Sequence, residues 1–351
     1  MTLSPSESTS SSTPIFAGID VGGTTIKLAL VNDQGELLAT SHFPTEDELG
    51  VPNAVQRMRS GLETLCRERQ IDFDAITAVG LGTPGTMNIP KGLILEPPNL
   101  PGWRHFPILD TLREACDGKL VVFANDAGAA AYGEFWVGSG REHDSIVMFT
   151  LGTGVGGGII IGDESIDGGH SHGSECGHVI IESGPQARPC PCGQPGHLEA
   201  YASATAVVNR ATEKLEAGVP SSLNGRLQSG ESLSGLMVAE EANQGDAFCL
   251  ELIDETAHYL ALGIVSVVNV IDPECVILGG AMNFGGPETS LGQRFLRGVT
   301  DSFRKHTFPV LAANTQIRFA SLGGDAGFIG AAGMARAAFY KASGPQGNFP
   351  T

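Results

Sequence analysis

An apolar strand pattern, a glycine turn and a second apolar strand pattern occur twice in this sequence, and the repeat strongly constrains the fold. The first copy is IFAGIDVGGTTIKLALVN at residues 15–32, and the second is SIVMFTLGTGVGGGIIIG at residues 145–162. After each copy, helix and strand patterns alternate, which is typical of layered α/β domains. We therefore predict a duplicated α/β fold whose two domains face each other across a cleft.

Length and charge limit the classes of function. The 351 residues exceed the roughly 250–300 at which a single hydrophobic core stops growing, so two domains are expected. The net charge of −18 leaves no basic stripe for a nucleic acid or an anionic membrane, and neither is expected as a partner. Residues 1–14 are rich in Ser and Thr and lack an apolar run, which predicts a disordered leader and a cytoplasmic protein.

The glycine turns are candidate phosphate sites. Gly152, Gly154 and Gly157 match the spacing of a dinucleotide fingerprint, but a strand pattern follows them where that fingerprint needs a helix. Bare amides in such a hairpin can hold phosphate oxygens, and Asp20 beside the first turn can hold Mg²⁺ directly or through its waters. The alternative is two tight hairpins in which glycine only supplies a positive φ.

Asn125 and Asp126 end one strand pattern and begin a helix pattern. Taken alone, Asp126 could be an N-cap, kept ionised by the helix dipole. It could also orient a hydroxyl nucleophile in phosphoryl transfer, where a carboxylate accepts the proton late and a low pKa is no obstacle.

The stretch CPCGQPGHLE, residues 190–199, has the spacing of a metal knuckle. Cys190, Cys192 and His197 supply three ligands, and a structural zinc site needs a fourth. Cys176, His170 and His172 are nearby candidates for that fourth place.

Six motifs together resemble the ROK family of sugar kinases and related repressors, within the actin-like ATPase superfamily. They are DVGGT, GLGTPG, ND, LGTGVGGG, ECGH and DAGFIGAA, in this order, and the similarity runs from about residue 15 to 340. The resemblance implies an actin-like ATPase (ribonuclease H-like) fold, ATP as donor with Mg²⁺, a hexose as acceptor and a homodimer.

The resemblance also implies roles for individual residues. Asp126 becomes the catalytic base, and the implied sugar-binding residues are Thr83, Gly85, Asn99, Asn125, Glu175, His178 and Glu199. The implied ATP and phosphate contacts are Asp20, Gly22, Gly23, Thr24, Thr25, Lys27, Gly152, Thr153, Gly154, Gly279 and Gly280. The implied zinc ligands are His178, Cys190, Cys192 and His197, where position 197 is histidine although the family usually has cysteine. Zinc would then orient Glu175 and Glu199 toward the sugar.

These implications define the expected protein. A small domain at 15–124, joined by a C-terminal helix at 325–341, faces a large domain at 125–324 that carries the knuckle at 178–197. The expected reaction phosphorylates a hexose at its 6-hydroxyl, with glucose first and fructose, mannose or an N-acetylhexosamine as alternatives.

A sugar-responsive repressor is disfavoured because no DNA-binding helix-turn-helix pattern precedes the first glycine turn. The six prolines in residues 84–107 predict a long loop without regular structure.

Overall fold

The computed structural model of the protein describes residues 13–344, so residues 1–12 of the predicted leader lie outside the described residues. The first part of the chain forms β1 Ile15–Val21, β2 Thr25–Asn32, β3 Leu37–Pro44, α1 Gly50–Glu68, β4 Ile76–Thr83, β5 Thr86–Asn88, β6 Leu93–Glu96, α2 Ile108–Ala115, β7 Leu120–Asn125 and α3 Asp126–Trp136. The second part forms β8 Ser145–Leu151, β9 Val155–Ile161, β10 Glu164–Ser165, α4 Glu199–Ala202, α5 Ala204–Glu216, α6 Leu223–Gln228, α7 Gly235–Asn243, α8 Ala247–Ile271, β11 Cys275–Gly279, α9 Ser290–His306, α10 Pro309–Asn314, β12 Gln316–Phe319 and α11 Ala326–Ser343.

Two five-stranded sheets share one topology. The first has the order β3-β2-β1-β4-β7 and the second β10-β9-β8-β11-β12. In each sheet the first three strands along the chain form an antiparallel meander and the last two run parallel to the first. The predicted duplication is therefore present, and each repeat of strand, glycine turn and strand forms the centre of one sheet.

The sheets are buried on both faces, and because side chains alternate along a strand, successive residues pack against opposite helical layers. In β2, Leu28 and Leu30 pack toward α1 and α2, whereas Ala29 and Val31 pack toward α11. The second sheet is covered in the same way by α3 on one face and by a larger helical layer that includes α8 and α9 on the other. Within residues 13–344, no helix has the length and apolar character to cross a membrane.

Helices α3 and α11 pack against each other between the sheets, and glycine makes this close approach possible. A Cβ at Gly330 of α11 would lie 1.7 Å from the carbonyl oxygen of Ala129 in α3. A Cβ at Gly18 of β1 would lie 1.8 Å from the carbonyl oxygen of Phe328 in α11. Real Cβ atoms do not come this near to backbone, so Gly330 and Gly18 serve helix packing rather than turns.

The prediction that residues 84–107 lack regular structure is wrong. Thr86–Asn88 and Leu93–Glu96 pair as the antiparallel hairpin β5–β6. The six prolines all lie outside these two strands, so no ladder hydrogen bond loses its donor. Trp103, which follows the hairpin, is fully buried and fills the core of the first half of the chain.

Candidate active site in the cleft

Asp20 stands at the end of β1 beside the first glycine turn. The turn is closed by a hydrogen bond from the Gly22 N–H to the Thr25 carbonyl, 2.9 Å, and Thr24 is exposed at its tip. Burial raises the pKa of the Asp20 carboxyl, and the nearby Lys27 ammonium lowers it in part. The carboxylate packs on the first turn of α11, where a Cβ at Gly327 would lie 2.7 Å from Oδ2.

Lys27 connects the same turn to the segment before α11. Its Nζ donates a 2.7 Å hydrogen bond to the carbonyl of Gly324. Gly23 lies against Asn99 of the proline-rich segment, since a Cβ at Gly23 would be 3.1 Å from the Asn99 Cβ. The first hairpin therefore adjoins both the base of α11 and the segment after β6.

The second glycine turn is oriented by α5. The Ala204 N–H donates to the carbonyl of Gly152 at 2.9 Å, and the Thr205 hydroxyl donates to the carbonyl of Thr153 at 2.8 Å. In a trans peptide the N–H points opposite to the C=O, so the amides of Thr153 and Gly154 point away from α5. Thr153 is exposed. This arrangement makes two neighbouring amides available to an anion.

The structure decides which of Asn125 and Asp126 caps helix α3. Asn125 is the N-cap of α3: its Oδ1 accepts from the Ala127 N–H at 2.9 Å and the Gly128 N–H at 3.4 Å. Asp126 is the first residue of the helix and its Oδ1 also accepts from the Ala127 N–H, at 2.8 Å.

The helix start alone would lower the pKa of Asp126, but the folded cleft raises it. Burial raises the pKa of this carboxyl to about 6, and the carboxylates of Asp20 and Glu175 add to the increase. The Ala127 N–H at the helix start lowers the pKa, but by less. Desolvation outweighs the helix terminus because the side chain lies deep in the cleft, away from the water that would stabilise its charge.

The strand ends around Asp126 bring further predicted residues together. Register places Thr83 of β4 opposite Asn125 of β7, and Gly82 opposite Asp20. Thr83 is fully buried, and its Oγ1 has no hydrogen-bond partner among the described residues. Gly85 follows in the left-handed region, with φ 88°, and a Cβ there would lie 2.4 Å from the Cα of Pro97.

Glu175, His178 and Glu199 lie on the second half of the site. The carboxylate of Glu175 lies 3.3 Å from Nδ1 of His178. Glu199, the first residue of α4, accepts a hydrogen bond from the Val155 N–H at 2.9 Å and so reaches the second glycine turn. A Cβ at Gly154 would lie 2.3 Å from Glu199 Oε2, so a side chain at position 154 would displace this carboxylate.

The four predicted zinc ligands come together. One ligand atom each from His178, Cys190, Cys192 and His197 lies within 4.8 Å of the others. A short backbone pairing of Ile180 with His197 holds the two histidines near each other, with ring centroids 5.1 Å apart.

The competing candidates for the fourth ligand are not part of this cluster. Cys176 is buried against Gly157, and the His172 ring faces the His170 carbonyl within its own loop, at 2.7 Å.

Gly279 and Gly280 differ in exposure. Gly279 ends β11 and is buried against Met148, whereas Gly280 is exposed, with φ 89°. A Cβ at Gly280 would lie 2.2 Å from the carbonyl oxygen of Leu151, directly before the second glycine turn. Gly280 therefore borders the cleft, and Gly279 does not.

Sequence reasoning missed the residues that hold the turns. Thr45 is buried and donates a 2.7 Å hydrogen bond to the Gly22 carbonyl, and Thr205 does the same for the second turn. Glu134, fully buried in α3, accepts hydrogen bonds from the N–H groups of Ser321 and Leu322 at 2.8 and 2.7 Å. In the sequence, the only sign of this role is that Glu134 stands in an otherwise apolar helix pattern. That pattern does not indicate which groups donate to the carboxylate.

Comparison with known proteins identifies a family, a relative and two solved structures that are similar to this chain. The ROK family model matches residues 16–338. The glucokinase of Halalkalibacterium halodurans is 34% identical over 321 residues, which cover 90% of this chain and 93% of the relative. The ROK hexokinase of Thermus thermophilus has a TM-score of 0.79 at 29% identity, covering 93% of this chain and 99% of its own. A ROK family glucokinase from Streptomyces griseus, in complex with glucose and AMPPNP, has a TM-score of 0.73 at 31% identity, covering 92% and 99%.

The duplicated sheets and the carboxylate-lined cleft between them define the protein as one of the actin-like ATPase fold. Within that fold, the chain belongs to the ROK family.

Proposed function

We propose that this protein transfers the γ-phosphoryl group of ATP to the 6-hydroxyl of glucose. Relatives named glucokinase are 34% and 33% identical to the chain over nine-tenths of its length. The similar structure from Streptomyces griseus holds glucose together with a nucleotide. The observation in this chain that carries the proposal is the position and environment of Asp126.

Asp126 has the properties of a base for a sugar hydroxyl. Its pKa of about 6 keeps it ionised at neutral pH and makes it a better proton acceptor than an ordinary aspartate. Oδ1 is held by the Ala127 N–H, so Oδ2 is left to face the hydroxyl. In phosphoryl transfer this carboxylate orients the attacking oxygen and receives its proton as the bond to phosphorus forms.

The neighbouring side chains offer complementary groups to a sugar. Because the Oδ1 of Asn125 is used as a helix cap, its Nδ2 is the group left to donate to a hydroxyl. Glu175 and Glu199 contribute carboxylate acceptors, while Gly85 and Asn99 border the opposite side. His178 is placed beside Glu175 and shares this half of the site.

The glycine turns suit the triphosphate. The amides of Thr153 and Gly154 point away from α5, and those of the first turn lie beside Asp20 and Lys27. Asp20 would hold the magnesium that accompanies ATP, which when bound neutralises charge on the phosphates. Lys27 supplies a cation on the same side, and Gly280 borders the nucleoside end of the cleft.

The donor set of the knuckle fits zinc. Two thiols and two imidazoles within 4.8 Å of one another are the ligand types of a closed structural site. His178, Cys190, Cys192 and His197 would hold the ion, which when bound ties the 190–197 loop to the segment around His178. Glu175 and Glu199 flank that connection, so zinc would keep both carboxylates directed at the sugar.

The proposal extends to assembly, location and domain limits. A homodimer in the cytoplasm is expected, with a small domain at 15–124 joined by the last helix and a large domain at 125–324. Helix α11 packs on β1 and β4, which supports the assignment of that helix to the small domain. Sedimentation velocity of the full chain measures the assembly.

The test is ADP release in Mg-ATP with glucose, fructose, mannose and N-acetylhexosamines, using Asp126→Ala as the blank. We expect turnover with glucose that is lost in the variant, while fold and zinc content are kept. Turnover on a different sugar would keep the mechanism and change the substrate. Full activity in Asp126→Ala would exclude the assigned base.

A further inference from the structure

Residues 165–174, here named the bridging loop, run from the last residue of β10 to Glu175 and form a compact loop. The Ser174 hydroxyl donates to the Ile166 carbonyl at 2.8 Å, and the Gly173 N–H donates to the Asp167 carbonyl at 2.7 Å. The Ser165 hydroxyl donates to the Asp167 carboxylate at 2.9 Å. These bonds hold the loop in one shape against the second sheet.

The tip of the bridging loop crosses the cleft. The hydroxyl of Ser171 accepts a 2.9 Å hydrogen bond from the backbone N–H of Ile89, which lies in the turn between β5 and β6. Within residues 13–344, this is the one hydrogen bond or salt bridge that joins residues 15–124 to residues 145–321, while the Lys27–Gly324 bond joins the first hairpin to the segment before α11. The Ser171 contact therefore links the two halves of the molecule at the mouth of the cleft.

Ser171 is held in an uncommon backbone conformation. Its φ is 57°, in the left-handed region that non-glycine residues rarely adopt, and Ser174 has a φ of 65°. Such conformations persist where the surrounding structure holds them, and they cluster at ligand clamps and switch regions. Here the conformation places the Ser171 hydroxyl against Ile89.

Ile89 and Ser171 each lie in a segment that adjoins one half of the candidate sugar site. On one side, the β5–β6 hairpin begins directly after Gly85, and Pro97, which follows it, packs on Gly85. On the other side, Glu175 directly follows the bridging loop. We propose that Ser171 is a positioning residue that holds these two halves in the relative position that binds the sugar, an inference that rests on the proposed function.

Steady-state kinetics of the full chain test this role. Ser171→Gly removes the hydroxyl and also relieves the strain of the positive φ. Ser171→Ala removes the hydroxyl alone. Both should raise the KM for glucose about fivefold, the effect of one neutral hydrogen bond, with kcat within about twofold because Ser171 touches no reacting atom. Ser171→Asn should restore the KM, since asparagine tolerates a positive φ and offers an acceptor oxygen.

His172→Ala is the matched control, because this exposed neighbour bonds only within the loop and should keep the parent KM. An unchanged KM in Ser171→Gly would overturn the proposal. An equal rise in His172→Ala would also overturn it, because general loop order and not the Ser171 contact would then be responsible.

Amide hydrogen exchange at Ile89, measured without sugar, tests the contact independently of turnover. Exchange should be at least about fivefold faster in Ser171→Ala and Ser171→Gly and should return toward the parent rate in Ser171→Asn. Unchanged protection of Ile89 in both variants would refute the contact. If the parent turns over no sugar, the proposed function fails, and this exchange measurement still decides whether Ser171 bridges the cleft.

Discussion

Replacing Asp126 with Asn should abolish phosphoryl transfer and at the same time stabilise the unliganded protein. The residue is half-buried, and burial raises the pKa of its carboxyl from 3.8 to about 6. The folded state therefore binds this proton more tightly than the unfolded chain does, and ionisation above pH 6 works against folding. Asparagine removes the charge but keeps an oxygen that can accept from the Ala127 N–H.

The magnitude follows from the pKa difference. The difference is about 2 units, and each unit corresponds to about 1.4 kcal/mol, so ionised Asp126 costs the folded state about 3 kcal/mol at pH 8. For a chain of this length that is about 4 °C in Tm. The cost is present above the folded pKa of about 6, falls to about half near pH 5 and vanishes below the unfolded pKa of 3.8.

The assay is thermal unfolding of parent and Asp126→Asn from pH 4 to pH 8, without ATP, sugar or added magnesium. The control is Asp325→Asn, which changes an exposed aspartate at the start of another helix, α11. We expect the variant to gain about 4 °C at pH 8 and almost nothing at pH 4. A gain that is independent of pH, or a loss at pH 8, would refute the buried-charge argument.

Four further changes have defined outcomes. Below pH 6, kcat/KM for glucose should fall about tenfold per pH unit as Asp126 is protonated, and a flat profile down to pH 5 would contradict its role as base. Glu134→Gln should lower Tm by about 3 °C, since the amide nitrogen that replaces one carboxylate oxygen must face at least one backbone N–H donor, at about 2 kcal/mol; exposed Glu142→Gln is the control. Cys192→Ser should reduce bound zinc, measured by elemental analysis of pure protein, and should raise the KM for glucose; a full zinc complement would remove Cys192 from the ligand set. Gly330→Ala should destabilise the fold by at least about 2 kcal/mol in urea, because its Cβ meets the Ala129 carbonyl; stability equal to the parent would show that α3 and α11 separate easily.

The repeat and the motifs were sufficient to predict the duplicated sheets and the family. Apolar strands around a glycine turn have few alternative folds, and the repeat predicted two similar α/β halves. The ligand types of the knuckle were also readable, because Cys190, Cys192 and His197 are close in sequence. His178 came from the family resemblance, and the structure brings it to the other three.

The features that depend on contacts between distant parts of the chain could not be predicted from the sequence. The sign of the pKa shift at Asp126 depends on how much water the folded cleft excludes and on two carboxylates that are distant in sequence. The β5–β6 hairpin was missed because six prolines suggested a loop, although all of them fall outside the two strands.

Local pattern thus accounts for the strands, the glycine turns and the identity of the chemical groups in this protein. These follow from side-chain periodicity and from the spacing of residues close in sequence. Packing accounts for the rest: the raised pKa of Asp126, the glycine contacts between α3 and α11, and the contact of Ser171 with Ile89. Each of these depends on burial or on an approach between segments distant in sequence, which sequence spacing does not encode.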